Sequence, residues 1–195
     1  MKTLDFYYDV VCPYAYLAST KLAELERATG VTAVWKPMLL GGVFQATGNR
    51  SPAEVPAKRP YMNADLKRFA ARYGVPFRHN PNFPINTLLL MRGATGLQMR
   101  EPERFRAYVD AVYHAMWVEP QNLNDPAVAA TMLAAAGFDP SEVMGWVGDA
   151  EVKAALRATT EEAIARGAFG APTMFVGAQM FFGQDRLDFV REALG

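Results

Sequence analysis

Apolar and polar positions alternate at the start of the chain, with Leu4, Phe6 and Tyr8 against Asp5, Tyr7 and Asp9, a period that predicts a strand ending near Val11. After Pro13 the period changes: Tyr14, Leu17, Ala18, Leu22 and Leu25 recur at helical spacing up to Thr29-Gly30. Val31 to Lys36 then reads as a second strand, stopped by Pro37. These lengths suit a right-handed βαβ unit.

From Leu39 to Pro60 the periodicity breaks at Gly41-Gly42, Gly48, Pro52, Pro56 and Pro60, so a long functional or mobile loop is expected. Helical stripes follow. Met62, Leu66, Phe69, Ala70 and Tyr73 form one, closed by Gly74, and Asn86 or Thr87 caps a short helix holding Leu88 to Met91. Phe105, Tyr108, Val109, Val112 and Met116 form another, while Asn124-Asp125-Pro126 and Asp139-Pro140 read as caps followed by proline in the first turn. A last helix of this block runs from about Glu151 to Arg166. Thr173 to Val176 and Met180 to Phe182, turned at Gly177, form an antiparallel hairpin, and a terminal helix runs from about Arg186 to Leu194.

The pattern is β-α-β, a helical block, then β-β-α, an α/β fold in which the two ends complete one sheet. Its 195 residues suffice for one substantial core. Twenty acidic and twenty basic residues cancel, which removes the electrostatic case for nucleic acid or an anionic membrane surface. No apolar run is long enough to span a bilayer, and Met1-Lys2-Thr3 leads straight into the strand pattern without a signal peptide's apolar core. A cytoplasmic protein is expected. His79 and His114 make no metal-ligand spacing with each other or with Cys12, so no metal site is expected, and the Met, Leu and aromatic stripes, with Trp35 and Trp117, read as core.

Cys12 is the chain's single cysteine. An internal disulfide is therefore impossible, and any exchange must involve another molecule. It sits at a strand-to-helix junction, where unpaired N–H groups and the helix dipole favour a thiolate at neutral pH; the alternative is a small buried hydrophobe.

The stretches DFYYDVVCPYAYL, TGNRSPAEVPAKRPYM, FPINTLLLMRGA, GAFGAPTMFV and FFGQDRL together resemble the thioredoxin-fold proteins with a helical insertion, and among them the kappa-class glutathione transferases and the 2-hydroxychromene-2-carboxylate isomerases. The resemblance covers essentially the whole chain. It implies a thioredoxin-like part over residues 1–50 and 168–195, with a helical insertion over about 60–167. It also implies glutathione as cofactor, held by Asn49, Lys58, Ala171, Pro172, Gln184 and Asp185, with Ala171-Pro172 as a cis peptide facing Cys12. Asp185 has a second reading as the cap of the last helix, with Asp188 in a box-like position. Asn49 and Arg50 are the implied contacts to a small aromatic substrate, and a homodimer is implied as well.

The departure is at Cys12, where the resemblance implies serine; Cys-Pro-Tyr-Ala also lacks the second cysteine of a disulfide oxidoreductase. Three activities remain open. The first is isomerisation of a 2-hydroxychromene-2-carboxylate-type intermediate of aromatic degradation by transient addition of glutathione sulfur, with Cys12 as hydrogen-bond donor. The second is thiol transfer or kappa-like glutathione transfer using Cys12. The third is glutathione binding without catalysis.

Overall fold

The computed structural model describes residues 2–195. Four strands, β1 (Leu4–Tyr8), β2 (Ala33–Pro37), β3 (Thr173–Val176) and β4 (Gln179–Phe182), form one mixed sheet in the order β2-β1-β3-β4. β1 pairs parallel to β2 across helix α1 (Pro13–Thr29) and antiparallel to β3, so the two ends of the chain do complete one sheet. The hairpin β3-β4 turns at Gly177, whose φ of 59° lies in the left-handed region that glycine adopts without strain.

Both sheet faces are covered. Phe6 and Tyr8 stack on one face against the edge of Trp35, and Tyr113 of α5 (Phe105–Trp117) closes over Tyr8. On the other, Arg166 lies 3.8 Å above the Phe175 ring and donates to Asp5 at 2.7 Å. Arg166 follows α8 (Ala150–Ala165), and α9 (Leu187–Leu194) packs on α1 and β3.

Between β2 and β3 the chain makes α2 (Leu40–Thr47), α3 (Arg59–Tyr73), α4 (Leu88–Arg100), α5, α6 (Pro126–Ala135), α7 (Pro140–Gly148) and α8. Asp125 and Asp139 cap α6 and α7 as expected, accepting from Ala127 N and Ser141 N at 2.9 and 2.8 Å. Trp35 and Trp117 are both buried.

The structure corrects three sequence expectations. The first strand ends at Tyr8 rather than Val11, because the Asp9 carboxylate and carbonyl take the N–H groups of Val11 and Cys12 and turn the chain out of the sheet. Leu39 to Pro60 is not a long loop: α2 occupies Leu40–Thr47, and Pro52–Glu54 is a 3-10 turn closed by a reciprocal Ser51–Glu54 capping box. Gly41 and Gly42 are helical there because packing of α2 on α8, with Leu40 and Val43 buried, outweighs their poor helix propensity. The helix at Leu88 is not short either, running to Arg100. Asn86 and Thr87 share its start: Thr87 is the cap position, while the Asn86 side chain accepts from Leu88 N at 3.1 Å.

Candidate active site

Cys12 is the N-cap of α1, with extended backbone (φ −90°, ψ 111°), and its carbonyl accepts from Ala15 N and Tyr16 N. The thiol points away from water and donates to the Ala171 carbonyl at 3.1 Å. Burial pushes its pKa up to about 12, the Ala15 and Tyr14 N–H groups only partly offsetting this and the nearby Asp9 charge adding to it. The expectation of a thiolate is therefore corrected: the helix N-terminus is present, but desolvation of the sulfur outweighs it.

Asp9, three residues earlier, is a functional candidate that the sequence reading passed over. It is 1% exposed, and its carboxylate accepts from Val11 N at 3.0 Å, Leu40 N at 2.9 Å and the Thr87 hydroxyl at 2.8 Å. One side chain thus ties the Cys12 turn to the first residues of α2 and α4. Burial raises its pKa, and the three donors pull the other way. Its only sequence signal is its place immediately before Val-Val-Cys.

A cavity of about 690 Å³ opens beside Cys12. Asn49, Arg50, Ala171, Gln184 and Asp185 line it together with the cysteine, so tertiary folding gathers residues from four distant stretches. The bond from Ala171 to Pro172 is cis, as is the unanticipated Phe83–Pro84. Pro172 is buried beside the cavity but is not part of its wall, and Lys58 is exposed at the cap of α3, also outside the lining. Asn49 is tied down: its Nδ2 donates to the Phe169 carbonyl at 2.8 Å and its Oδ1 accepts from Arg50 N.

Asp185 does not cap the last helix. Gly183, with φ 104°, leads into a 3-10 turn over Gln184–Arg186, and Asp185 pairs with Arg186 at 3.2 Å. Its carboxylate lies over Gly183, where a Cβ would stand 2.6 Å from Oδ1. The wall also holds Tyr14, Asp65, His79 and Arg186, which the sequence reading did not single out for the site. Tyr14 donates to Asp65 at 3.5 Å, a long bond bridging α1 and α3.

The residues present suit a small peptide. Gln184 is 4% exposed as a residue and borders the cavity; among the described residues no side chain bonds its amide, which is not one of the buried groups left without a partner and so stays open to the cavity. Among the described residues there is no group of three or more metal-ligating side chains, and no helix is long and apolar enough to cross a membrane.

Residues 3–195 match the family described as the DSBA-like thioredoxin domain. The chain belongs to the DsbA-like thioredoxin family. Within that family it is 35% identical over 198 residues to the 2-hydroxychromene-2-carboxylate isomerase of Sphingobium xenophagum, an alignment covering 99% of this chain and 98% of that protein. It is 27% identical to glutathione S-transferase kappa 1 of Homo sapiens, covering 100% and 91% of the two chains. A solved 2-hydroxychromene-2-carboxylate isomerase superposes with a TM-score of 0.86 at 30% identity, over 99% of this chain and 94% of the other. Its full-length relatives are thus isomerases and glutathione transferases, enzymes of the DsbA-like family. The α/β sheet with its helical insertion is the DsbA-like thioredoxin fold.

Proposed function

We propose that the protein is a glutathione-dependent isomerase acting on an aromatic-degradation intermediate of the 2-hydroxychromene-2-carboxylate type. The observation that carries this reading is the placement of Cys12: a buried thiol on the cavity wall that donates to the Ala171 carbonyl at 3.1 Å, whose burial pushes the pKa up, suits a hydrogen-bond donor better than a nucleophile. A reactive sulfur supplied from outside the chain fits this arrangement. Glutathione, when bound, supplies a thiol able to add to a conjugated double bond, so that the bond can rotate before the sulfur leaves.

The chain's own residues position and stabilise. Gln184 and Asp185 would hold the γ-glutamyl end, the first through its side-chain amide, and the backbone at Ala171 would pair with the peptide as an added strand does at a sheet edge. Cys12 would turn its S–H from the Ala171 carbonyl toward the bound sulfur, a weak donor keeping negative charge there. Asn49 and Arg50 would meet the substrate, with Arg50 matching its carboxylate. Lys58 would reach the ligand only as a mobile side chain on the α3 cap, and Pro172 would act through the backbone next to it. A homodimer in the cytoplasm belongs to the same proposal.

Thiol transfer by Cys12 needs a thiolate, which the burial of the sulfur opposes. The decisive assay follows the absorbance of 2-hydroxychromene-2-carboxylate with purified protein freed of bound glutathione. Conversion that appears only when glutathione is added is the expected result. Absence of conversion with and without glutathione would overturn the reading.

A further inference from the structure

We propose that His79 carries the proton between the two oxygens of the substrate as its ring opens, an inference that rests on the isomerase reading above. A 2-hydroxychromene-2-carboxylate is a cyclic hemiketal, and its ring has to open before the side-chain double bond can rotate. The hemiketal O–H loses its proton, the bond from that carbon to the aryl oxygen breaks, and the electron pair goes to the aryl oxygen. The carbon becomes a ketone, and the aryl oxygen takes up a proton. One proton leaves one oxygen and one arrives at another, with no oxidant or reductant consumed.

Such a step calls for a group that both accepts and donates a proton at neutral pH. Most titratable side chains around the cavity are already engaged. Asp9 is buried under three donors, Cys12 is held protonated, and Tyr14 is bonded to Asp65. Glu54 closes the capping box with Ser51, and Asp185 pairs with Arg186. His79 has neither a hydrogen bond nor an ion pair among the described residues, and it borders the same cavity.

Its placement suits the role. His79 lies on the connection between α3 and α4, with its ring 5.9 Å from Phe83 and 6.5 Å from Trp117, so it forms part of an aromatic wall against which an aryl ring can lie. His79 is exposed on its outer side, and desolvation of the rest of the ring together with the Arg59 charge lowers its pKa, which favours the neutral imidazole, with one nitrogen accepting and the other donating. Arg59 of α3 is the charged group acting on it, and the two rings packed against it are uncharged.

The test separates proton transfer from filling the wall. His79→Phe keeps a ring in place, and His79→Ala opens space for a small base. Wild-type protein with glutathione is assayed first for conversion of 2-hydroxychromene-2-carboxylate. Both variants are expected to lower kcat by about a hundredfold or more, to lose the acidic limb of the pH profile, and, for His79→Ala, to recover rate in proportion to added imidazole. His79→Phe with kcat within about threefold of wild type and an unchanged pH profile would overturn the inference while leaving the isomerase reading intact. If His79→Phe does not fold, absence of imidazole rescue in His79→Ala overturns it instead. An inactive wild type would overturn both.

Discussion

The thiol of Cys12 and the carbonyl of Ala171, separated by 159 positions in sequence, meet at 3.1 Å, with the sulfur donating. This contact joins the start of α1 to the segment leading into β3, and it holds the only thiol of the chain in its protonated form at the wall of the cavity.

Alkylation of the ligand-free protein should therefore be slow. With the pKa at about 12 against about 8.5 for a free thiol, the thiolate fraction at pH 7.5 falls by about three orders of magnitude. Iodoacetamide labelling of native protein is expected to be at least a hundredfold slower than after denaturation, rising about tenfold per pH unit. The same shift makes stability fall as pH rises above about 8.5, because the unfolded thiol ionises while the folded one holds its proton up to about 12. Mass-spectrometric labelling kinetics check the first outcome, and rapid labelling of the folded protein would refute it.

Cys12→Ser replaces a weak donor by a better one of similar shape. Conversion with glutathione is expected to persist at the wild-type rate or rise up to about fivefold, since the gain from a hydroxyl over a thiol is about 1 kcal/mol. Exchange of glutathione with mixed disulfides should be absent from the wild type and the variant alike. A folded Cys12→Ser protein without isomerisation would show that the sulfur itself takes part.

Asp9→Asn presents an amide to donors that now meet carboxylate oxygens on both sides. Either the Leu40 N–H or the pair from Val11 and Thr87 would then face an NH₂ group. A loss of about 1–3 kcal/mol is expected from the unsatisfied donor. Urea unfolding should show a lower midpoint with an unchanged slope, and an unchanged midpoint would mean that the three bonds contribute nothing net.

Two glycines in helices should respond with opposite signs. A Cβ at Gly93 of α4 would overlap the Tyr108 hydroxyl, which donates to the Leu90 carbonyl at 2.9 Å, so Gly93→Ala is expected to cost about 1–3 kcal/mol. Gly145 of α7 has nothing within 4 Å of its Cβ position, and Gly145→Ala should add about 0.5–1 kcal/mol through helix propensity alone. Thermal melts of the two variants provide the check.

The local devices of this fold were legible in the chain because they depend on neighbours in sequence. Alternation in Leu4 to Tyr8, Asp125-Pro126 and Asp139-Pro140 before their helices, and glycine after Thr29 and Tyr73 each act within a few residues. Gly41-Gly42 misled for the same reason. Their local preference is for a loop, and α2 exists because α8 and the Asp9 carboxylate hold it in place.

At the site the sequence alone marked Cys12 as the N-cap of a helix and, through its resemblance, Ala171, Gln184, Asp185, Asn49 and Arg50 as companions that do line one cavity. It did not mark Asp9 or His79, whose neighbours come from distant parts of the chain. The ionisation of Cys12 shows the division most clearly: the helix N-terminus that favours a thiolate is written in residues 12 to 16, whereas its desolvation comes from packing and from a carbonyl 159 positions away. Sequence by itself determined the elements and the presence of a lone thiol at their junction. Tertiary structure decided how strongly burial opposes ionisation of that thiol, because the dielectric around an atom is set by everything that surrounds it in space.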